Sequence, residues 1–293
     1  MIVHLNGELV DAAEAHVSVF DRGFLFGDGV YEGLRATEGH IIGLALHVER
    51  MRAGLEEVRI RGFDPESIGS MSAALLDANV LGDAFVYWQV TRGAPEPGAP
   101  VRQRIPGEAR TTVFGYAAPL PALDQCRTPA IRTASLQPDL RWLRGRVKAT
   151  SLLGSVLAAI EADEAGCEDA IMHRDGVISE ATAANVLISA GEEIATPELD
   201  GPPILDGVTR RLLLKEAPEI VVRPITVDEL RGADEVMLCG TTTLVTSVTS
   251  LDGRPIGRFG AERWPGPVSQ RMLDALLTAI ERERKESRVH SAS

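Results

Sequence analysis

The chain has 293 residues, 44% hydrophobic and 25% charged, which is the composition of a folded soluble protein with room for one large or two ordinary domains. Its net charge of −12 argues against a surface built to hold a phosphate backbone, so no nucleic acid is expected as a partner. No run approaches the roughly 18 apolar residues of a membrane span, and no basic stretch leads into an apolar one at the N-terminus, so no membrane partner is expected and the cytoplasm is the expected location.

Taken in chain order, Ile2 to Val10 reads as two short strands turned at Asn6-Gly7, a strong hairpin signal. Gly29 to Thr37 and His40 to Ile42 form a second hairpin about Glu38-Gly39. Leu44, Val48, Met51 and Leu55 share one helical face over Leu44 to Val58, and a further helix is expected from Pro65 to Val80. Ala84 to Thr91 and Thr111 to Tyr116 read as strands, joined by a Pro- and Gly-rich stretch from Gly93 to Gly107 that is long enough to suggest a lid or binding loop.

A polar, proline-punctuated segment at 118–130 reads as a linker between a first domain, 1–117, and a second, 131–293. The second carries a strand near Ile131, a helix from about Ser151 to Ala165, and short strands between Asp169 and Ala195. A helix from Val208, strands around Val221 and Val236, and a terminal helix from Pro267 to about Ser287 follow. The pattern is α+β.

Cys126, Cys167 and Cys239 are dispersed and form no Cys-x-x-Cys pair, and the six histidines form no His-Glu-x-x-His string, so no disulfide framework and no metal are expected. Gly27, Gly29 and Gly33 do not make a dinucleotide loop, because the segment continues into a strand where that loop needs a helix. Neither a phosphate-binding Walker string nor a Gly-x-Ser-x-Gly elbow occurs.

Of 30 basic residues, three are lysine (Lys148, Lys215 and Lys285) and 27 are arginine. Lys215 and Lys285 sit in polar helical contexts, whereas Lys148 follows Trp142-Leu143-Arg144-Gly145-Arg146-Val147 and precedes an apolar helix. It reads either as one more solvated cation or as a Schiff-base lysine, a role that needs a primary amine and excludes arginine.

Downstream stand Ser179-Glu180-Ala181-Thr182-Ala183-Ala184-Asn185, Ile194-Ala195-Thr196 and Leu205-Asp206-Gly207-Val208-Thr209-Arg210. In this order they resemble the signature of the class IV, or fold type IV, pyridoxal-phosphate aminotransferases. That family includes D-amino acid transaminases, branched-chain aminotransferases, R-selective amine transaminases and aminodeoxychorismate lyases. Leu187 departs from the aromatic residue usual in the family. Asp21-Arg22-Gly23-Phe24-Leu25-Phe26-Gly27-Asp28-Gly29-Val30-Tyr31-Glu32, His47-Val48-Glu49-Arg50-Met51, Val86 to Gly93 and Asp139 to Arg144 look most like the bacterial D-amino acid transaminases.

The resemblance implies a two-domain α+β fold of type IV, a homodimer with the active site near the subunit interface, and pyridoxal 5'-phosphate as cofactor. Lys148, in the second domain, would form the Schiff base and shuttle the proton, and Glu180 would pair with the pyridine nitrogen. Arg50, the helix start at Gly207, Val208 and Thr209, and Thr241 with Thr242 would hold the phosphate. Leu205 would cover a ring face and Asn185 would support the site.

Tyr31, Gly33 and Arg35 alternate along one strand and would face the substrate. The arginine and histidine with which D-amino acid transaminases trap the α-carboxylate are replaced here by Ala94-Pro95-Glu96-Pro97-Gly98-Ala99-Pro100. Arg35, Arg92, Arg102 and Arg104 are the substitutes available. The expected reaction moves an amino group from a D-amino acid to a 2-oxo acid. Branched-chain L-amino acids and R-configured amines are the alternatives, with an aminodeoxychorismate lyase or a non-catalytic binding protein more distant.

Overall fold

Asn6 and Gly7 take positive φ of 52° and 99° and fold β1 (Ile2–Leu5) back onto β2 (Glu8–Asp11). The structure, a computed structural model, describes residues 1–257 and 264–291. The chain divides into two units. The first is Met1–Ala122 with Val147–Leu152; the second is Leu123–Arg146 with the chain from Leu153 onward.

In the first unit, α1 (Arg22–Phe26) starts at Asp21, whose carboxylate accepts the Gly23 amide, and leads into β3 (Gly29–Thr37) and β4 (His40–Ile41). Two helices follow, α2 (Leu44–Val58) and α3 (Ile68–Asn79), and then the long strands β5 (Ala84–Pro95) and β6 (Ala109–Pro119). These strands make a six-stranded antiparallel sheet in the order β2-β1-β6-β5-β3-β4. The strand alternation sorts its two faces. Val30, Leu34, Val86, Trp88 and Val90 are buried in one core with Val48, Met51 and Leu55 of α2 and Ile68, Leu75 and Leu76 of α3. Tyr31, Phe85 and Tyr87 lie half-buried on the other face.

Val147 and Ala149 belong to that same core. Ala149 bridges Val30, the Tyr31 amide donates to the Lys148 carbonyl at 2.9 Å, and the Thr150 amide donates to Gly29 at 3.0 Å. Residues 148–150 thus lie against β3 through an isolated antiparallel bridge. This corrects the expectation that Lys148 lies in the second domain: the chain enters the first unit for six residues, buries two apolar side chains there and leaves. The turn of the chain between the units falls at Ala122–Leu123, inside the expected linker.

The expected loop begins later than Gly93, because β5 continues through a bulge to Pro95. Gly93 has φ +85°, and a Cβ there would lie 1.6 Å from the Arg110 carbonyl oxygen. Only glycine lets the two backbones pass.

The second unit contains β7 (Ala130–Pro138), α4 (Leu153–Glu164), β8 (Asp169–Arg174), β9 (Val177–Ala181), β10 (Asn185–Ala190) and β11 (Glu193–Thr196). They are followed by α5 (Val208–Glu216), β12 (Ile220–Val222), α6 (Val227–Gly232), β13 (Glu235–Gly240), β14 (Leu244–Leu251), β15 (Arg254–Pro255) and α7 (Pro267–Ser291). Its mixed sheet runs β12-β11-β10-β13-β14-β7-β8-β9, with β15 beside β14. Ile171, Ile178, Val186, Ile188, Val236, Leu238 and Val248 fill its core. Helix α6 escapes the periodicity reading because it is short, but Thr226 and Glu229 form a reciprocal capping box that its sequence spells out. No described helix is long and apolar enough to cross a membrane.

Gly93→Ala should lower stability by about 2 kcal/mol or more, because the backbone has to move. Gly107→Ala, which faces open space, should cost less than about 1 kcal/mol. Urea titrations of the two variants against the parent check the contrast.

Candidate functional site

Tyr31, Gly33 and Arg35 share one face of β3, as expected, but they do different things. The Lys148 Nζ lies 4.4 Å from the centre of the Tyr31 ring, a cation–π contact. Among the described residues that amine has no hydrogen bond and no ion pair, although it is only half-buried. Tyr31 stacks on Tyr87, and Tyr87 on Tyr116, at centroid distances of 5.6 and 5.2 Å. Gly33 makes room for the Phe85 ring, whose atoms would lie 2.8 Å from a Cβ there. Arg35 is 2% exposed and donates to the Pro121 carbonyl, so it serves the packing of the sheet edge.

On the opposite face of β3, Glu32 is completely buried. Arg50 grips it through two hydrogen bonds of 2.8 and 2.7 Å, and His47, one turn earlier on α2, adds a third at 2.7 Å. Burial alone would raise the Glu32 pKa, but the charge and hydrogen bonds of Arg50, then of His47, hold it down at about 2. Burial pushes the His47 pKa down. The cluster is a carboxylate held by a guanidinium and an imidazole.

Arg92 is committed elsewhere. Its Nε and Nη2 hold Asp28 at 2.8 and 2.9 Å, and its other donors reach the Val58 and Arg59 carbonyls. Asp28 also receives Arg22, which in turn donates to the carbonyls of Gln103 and Arg104 in the loop after β5. Arg35 and Arg92 both make hydrogen bonds within the first unit. Arg102 and Arg104 are exposed on the loop whose backbone Arg22 holds.

In the second unit Glu180, near the end of β9, is buried and accepts from Arg141, Asn185 and the Leu205 amide. Arg141 Nη1 stands 2.8 Å from Oε1, while the Leu205 amide and Asn185 Nδ2 stand 3.1 and 3.2 Å from Oε2. Asn185 also donates to the Leu205 carbonyl at 2.9 Å, so Glu180, Asn185 and Leu205 form one hydrogen-bonded group. Arg141 is itself held by Asp139, through contacts of 3.0 and 2.8 Å, and Asp139 further accepts from Ser179 and Arg174. Asp139 and Arg141 carried no assigned role in the sequence. Their spacing, two residues apart on an extended segment, was the available signal.

Gly207 precedes α5, and no side chain caps the helix there. A Cβ at Gly207 would collide with Asn185 Oδ1 at 2.0 Å. Val208 and Thr209 are buried in the first turn, whose N–H groups have no partners within the helix. An uncapped, glycine-led helix start of this kind accepts an anion. Thr241 is half-buried and Thr242 exposed on the turn between β13 and β14; the neighbouring Thr243 Oγ1, which sequence reasoning passed over, is buried without a protein partner. The second unit's fixed carboxylate, open helix start and hydroxyls are groups that suit a basic ring nitrogen and a phosphate, and the primary amine of Lys148 in the first unit is a group that suits an aldehyde. Among the described residues, no group of His, Cys, Asp and Glu could hold a metal ion.

Comparison with known proteins accords with this chemistry. A family model described as amino-transferase class IV matches residues 29–251. A D-alanine aminotransferase of Bacillus licheniformis is 35% identical over 287 residues, 96% of this chain and 97% of its own. A candidate branched-chain-amino-acid aminotransferase of Methanocaldococcus jannaschii is also 35% identical, over 265 residues, 87% of this chain and 90% of its own. The crystal structure of the branched-chain aminotransferase from Thermoproteus uzoniensis with norvaline superposes with a TM-score of 0.82 at 26% identity, covering 97% of this chain and 96% of that one.

Burial would raise the Asp139 pKa, but the hydrogen bonds and charge of Arg141, with Ser179, hold it at about 2 against an ordinary 3.8. A depressed carboxylate stabilises the fold fully above its unfolded pKa and loses that contribution as pH falls through its folded one. The stability gap between the parent and Asp139→Asn should therefore be constant above about pH 5 and narrow toward pH 2, by about 2 kcal/mol in all. Urea midpoints of both proteins from pH 7 to pH 3 follow it.

Proposed function

The chain belongs to the class IV amino-transferase family, whose members are pyridoxal-phosphate-dependent enzymes, and from that premise we propose that it transfers an amino group from a D-amino acid to a 2-oxo acid. When bound, the cofactor supplies an aldehyde that condenses with amines and a ring that withdraws electrons from the substrate α-carbon. The protein's residues do the rest.

The observation that carries this reading is the Lys148 amine over Tyr31 with no ion pair or hydrogen bond to satisfy it among the described residues. It has the chemistry to be displaced by an incoming amine and then to carry a proton to and from the substrate α-carbon. Glu180, its carboxylate fixed by Arg141, Asn185 and the Leu205 amide, is the partner for a protonated ring nitrogen. Arg50, Gly207, Val208, Thr209, Thr241 and Thr242 are the phosphate ligands in this reading, with Leu205 against the ring.

The D-alanine aminotransferase relative favours a D-amino acid donor. With Arg35 and Arg92 engaged in the fold, Arg102 and Arg104 are the arginines we assign to the α-carboxylate, on a loop fastened by Arg22. A branched-chain L-amino acid is the second reading, favoured by the equally similar Methanocaldococcus jannaschii protein. We place the enzyme in the cytoplasm.

A homodimer also belongs to this reading. Leu153, Val156, Leu157 and Ile160 form an exposed apolar stripe along α4, at the spacing of one helical face.

Three measurements test these points. Purified protein should be yellow, and borohydride should fix the cofactor to Lys148; a colourless protein that pyridoxal phosphate cannot reconstitute sinks the enzyme reading. In single half-reactions D-alanine should bleach the bound cofactor, whereas bleaching by L-leucine alone would move the assignment to branched-chain substrates. Light scattering after size exclusion should give the mass of two chains, and Leu157→Glu should shift it to one.

A further inference from the structure

Glu32 has been given no part in the chemistry, yet it is the carboxylate most completely removed from water in the first unit. Such burial is costly unless partners neutralise the charge and fill its lone pairs. Here the partners come from one helix. Arg50 and His47 lie three residues apart on α2 and so point the same way. Oε1 accepts from Arg50 Nε at 2.8 Å; Oε2 accepts from Arg50 Nη2 at 2.7 Å and from His47 Nδ1 at 2.7 Å. Facing a carboxylate oxygen, which only accepts, Nδ1 is the donor.

Two effects of Glu32 on an anion held by Arg50 oppose each other. Its negative charge repels a phosphate and offsets the guanidinium. Its fork-to-fork contact fixes the plane of the guanidinium, so that little side-chain freedom is lost when an anion arrives. A carboxylate retained for charge balance alone would need neither the bidentate geometry nor the histidine that pins its second oxygen.

We propose that Glu32, locked by His47, is a positioning residue that orients Arg50 toward the cofactor phosphate. The inference rests on the reading of Arg50 as a phosphate ligand. It assigns Glu32 an effect on cofactor retention through Arg50 and no contact with the reacting atoms.

The test measures the dissociation constant of pyridoxal 5'-phosphate from the full-length enzyme, by absorbance and tryptophan fluorescence, with the phosphorus NMR signal of the bound cofactor as a second readout. The variants are Glu32→Gln, Glu32→Asp, Arg50→Ala and the double variant Glu32→Gln/Arg50→Ala. Glutamine removes the charge and leaves one acceptor for three donors, whereas aspartate keeps the charge and shortens the reach. Orientation predicts that both single changes at Glu32 weaken retention, on the order of tenfold, and move the phosphorus signal. It also predicts that Glu32→Gln adds no further loss once Arg50 is alanine.

Tighter binding by Glu32→Gln would show that repulsion outweighs positioning and overturn the proposal. So would losses that multiply in the double variant, because Glu32 would then act on the fold at large. If Arg50→Ala itself leaves the constant and the phosphorus signal unchanged, the phosphate reading of Arg50 fails first and takes the proposal with it. Should Glu32→Gln not accumulate as folded protein, Glu32→Asp and the Arg50→Ala control decide the matter.

Discussion

A charge taken out of water has to be matched at close range, and in this protein the matching is done by arginine. Glu32 is gripped by Arg50, Asp28 by Arg92 and Arg22, and Asp139 and Glu180 are linked through Arg141. Each guanidinium serves two or more acceptors at fixed angles, which an ammonium cannot do. The arginine excess of the composition therefore has a structural meaning. These buried pairs tie together segments that are distant in sequence, such as α1 and the loop after β5, or β9 and the segment after β7. The geometry of the functional side chains follows from them.

The same constraint explains which residues stand ready for chemistry. Arg35, Arg92, Arg102 and Arg104 stood side by side in the sequence as candidates for the carboxylate contact, apart from Arg50 with its phosphate reading. Folding separates them. Arg35 is consumed by a backbone carbonyl at a sheet edge, and Arg92 by a carboxylate and two carbonyls. The Lys148 amine, in contrast, lies over the Tyr31 ring.

Much of the fold was legible because period and turn chemistry agree. Asn6-Gly7, Glu38-Gly39 and Asp175-Gly176 all turn hairpins, and Leu44–Val58 forms as its apolar spacing requires. Short elements were not: α1 and α6 depend on single capping residues more than on any repeated apolar face. The candidate site was legible as a set of residue types in a family order, and its supporting network was not. Asp139, Arg141, Glu32 and Arg22 act through pairings with partners up to 82 residues away, a separation that no local pattern encodes. The domain assignment of Lys148 failed for the same reason. The segments that precede and follow residues 147–152 belong to one unit, while the Lys148 backbone hydrogen bond and the apolar residues on either side of it belong to the other.

That short visit of residues 147–152 to β3 bears on how the gene could be divided. A break at Ala122 would look natural, since it follows the last strand of the first sheet. It would yield one fragment whose β3 lacks a partner beside Tyr31, and another in which Val147 and Ala149 lose the core that buries them. A division of the chain that keeps the first unit whole therefore has to carry residues 147–152, and Lys148 with them.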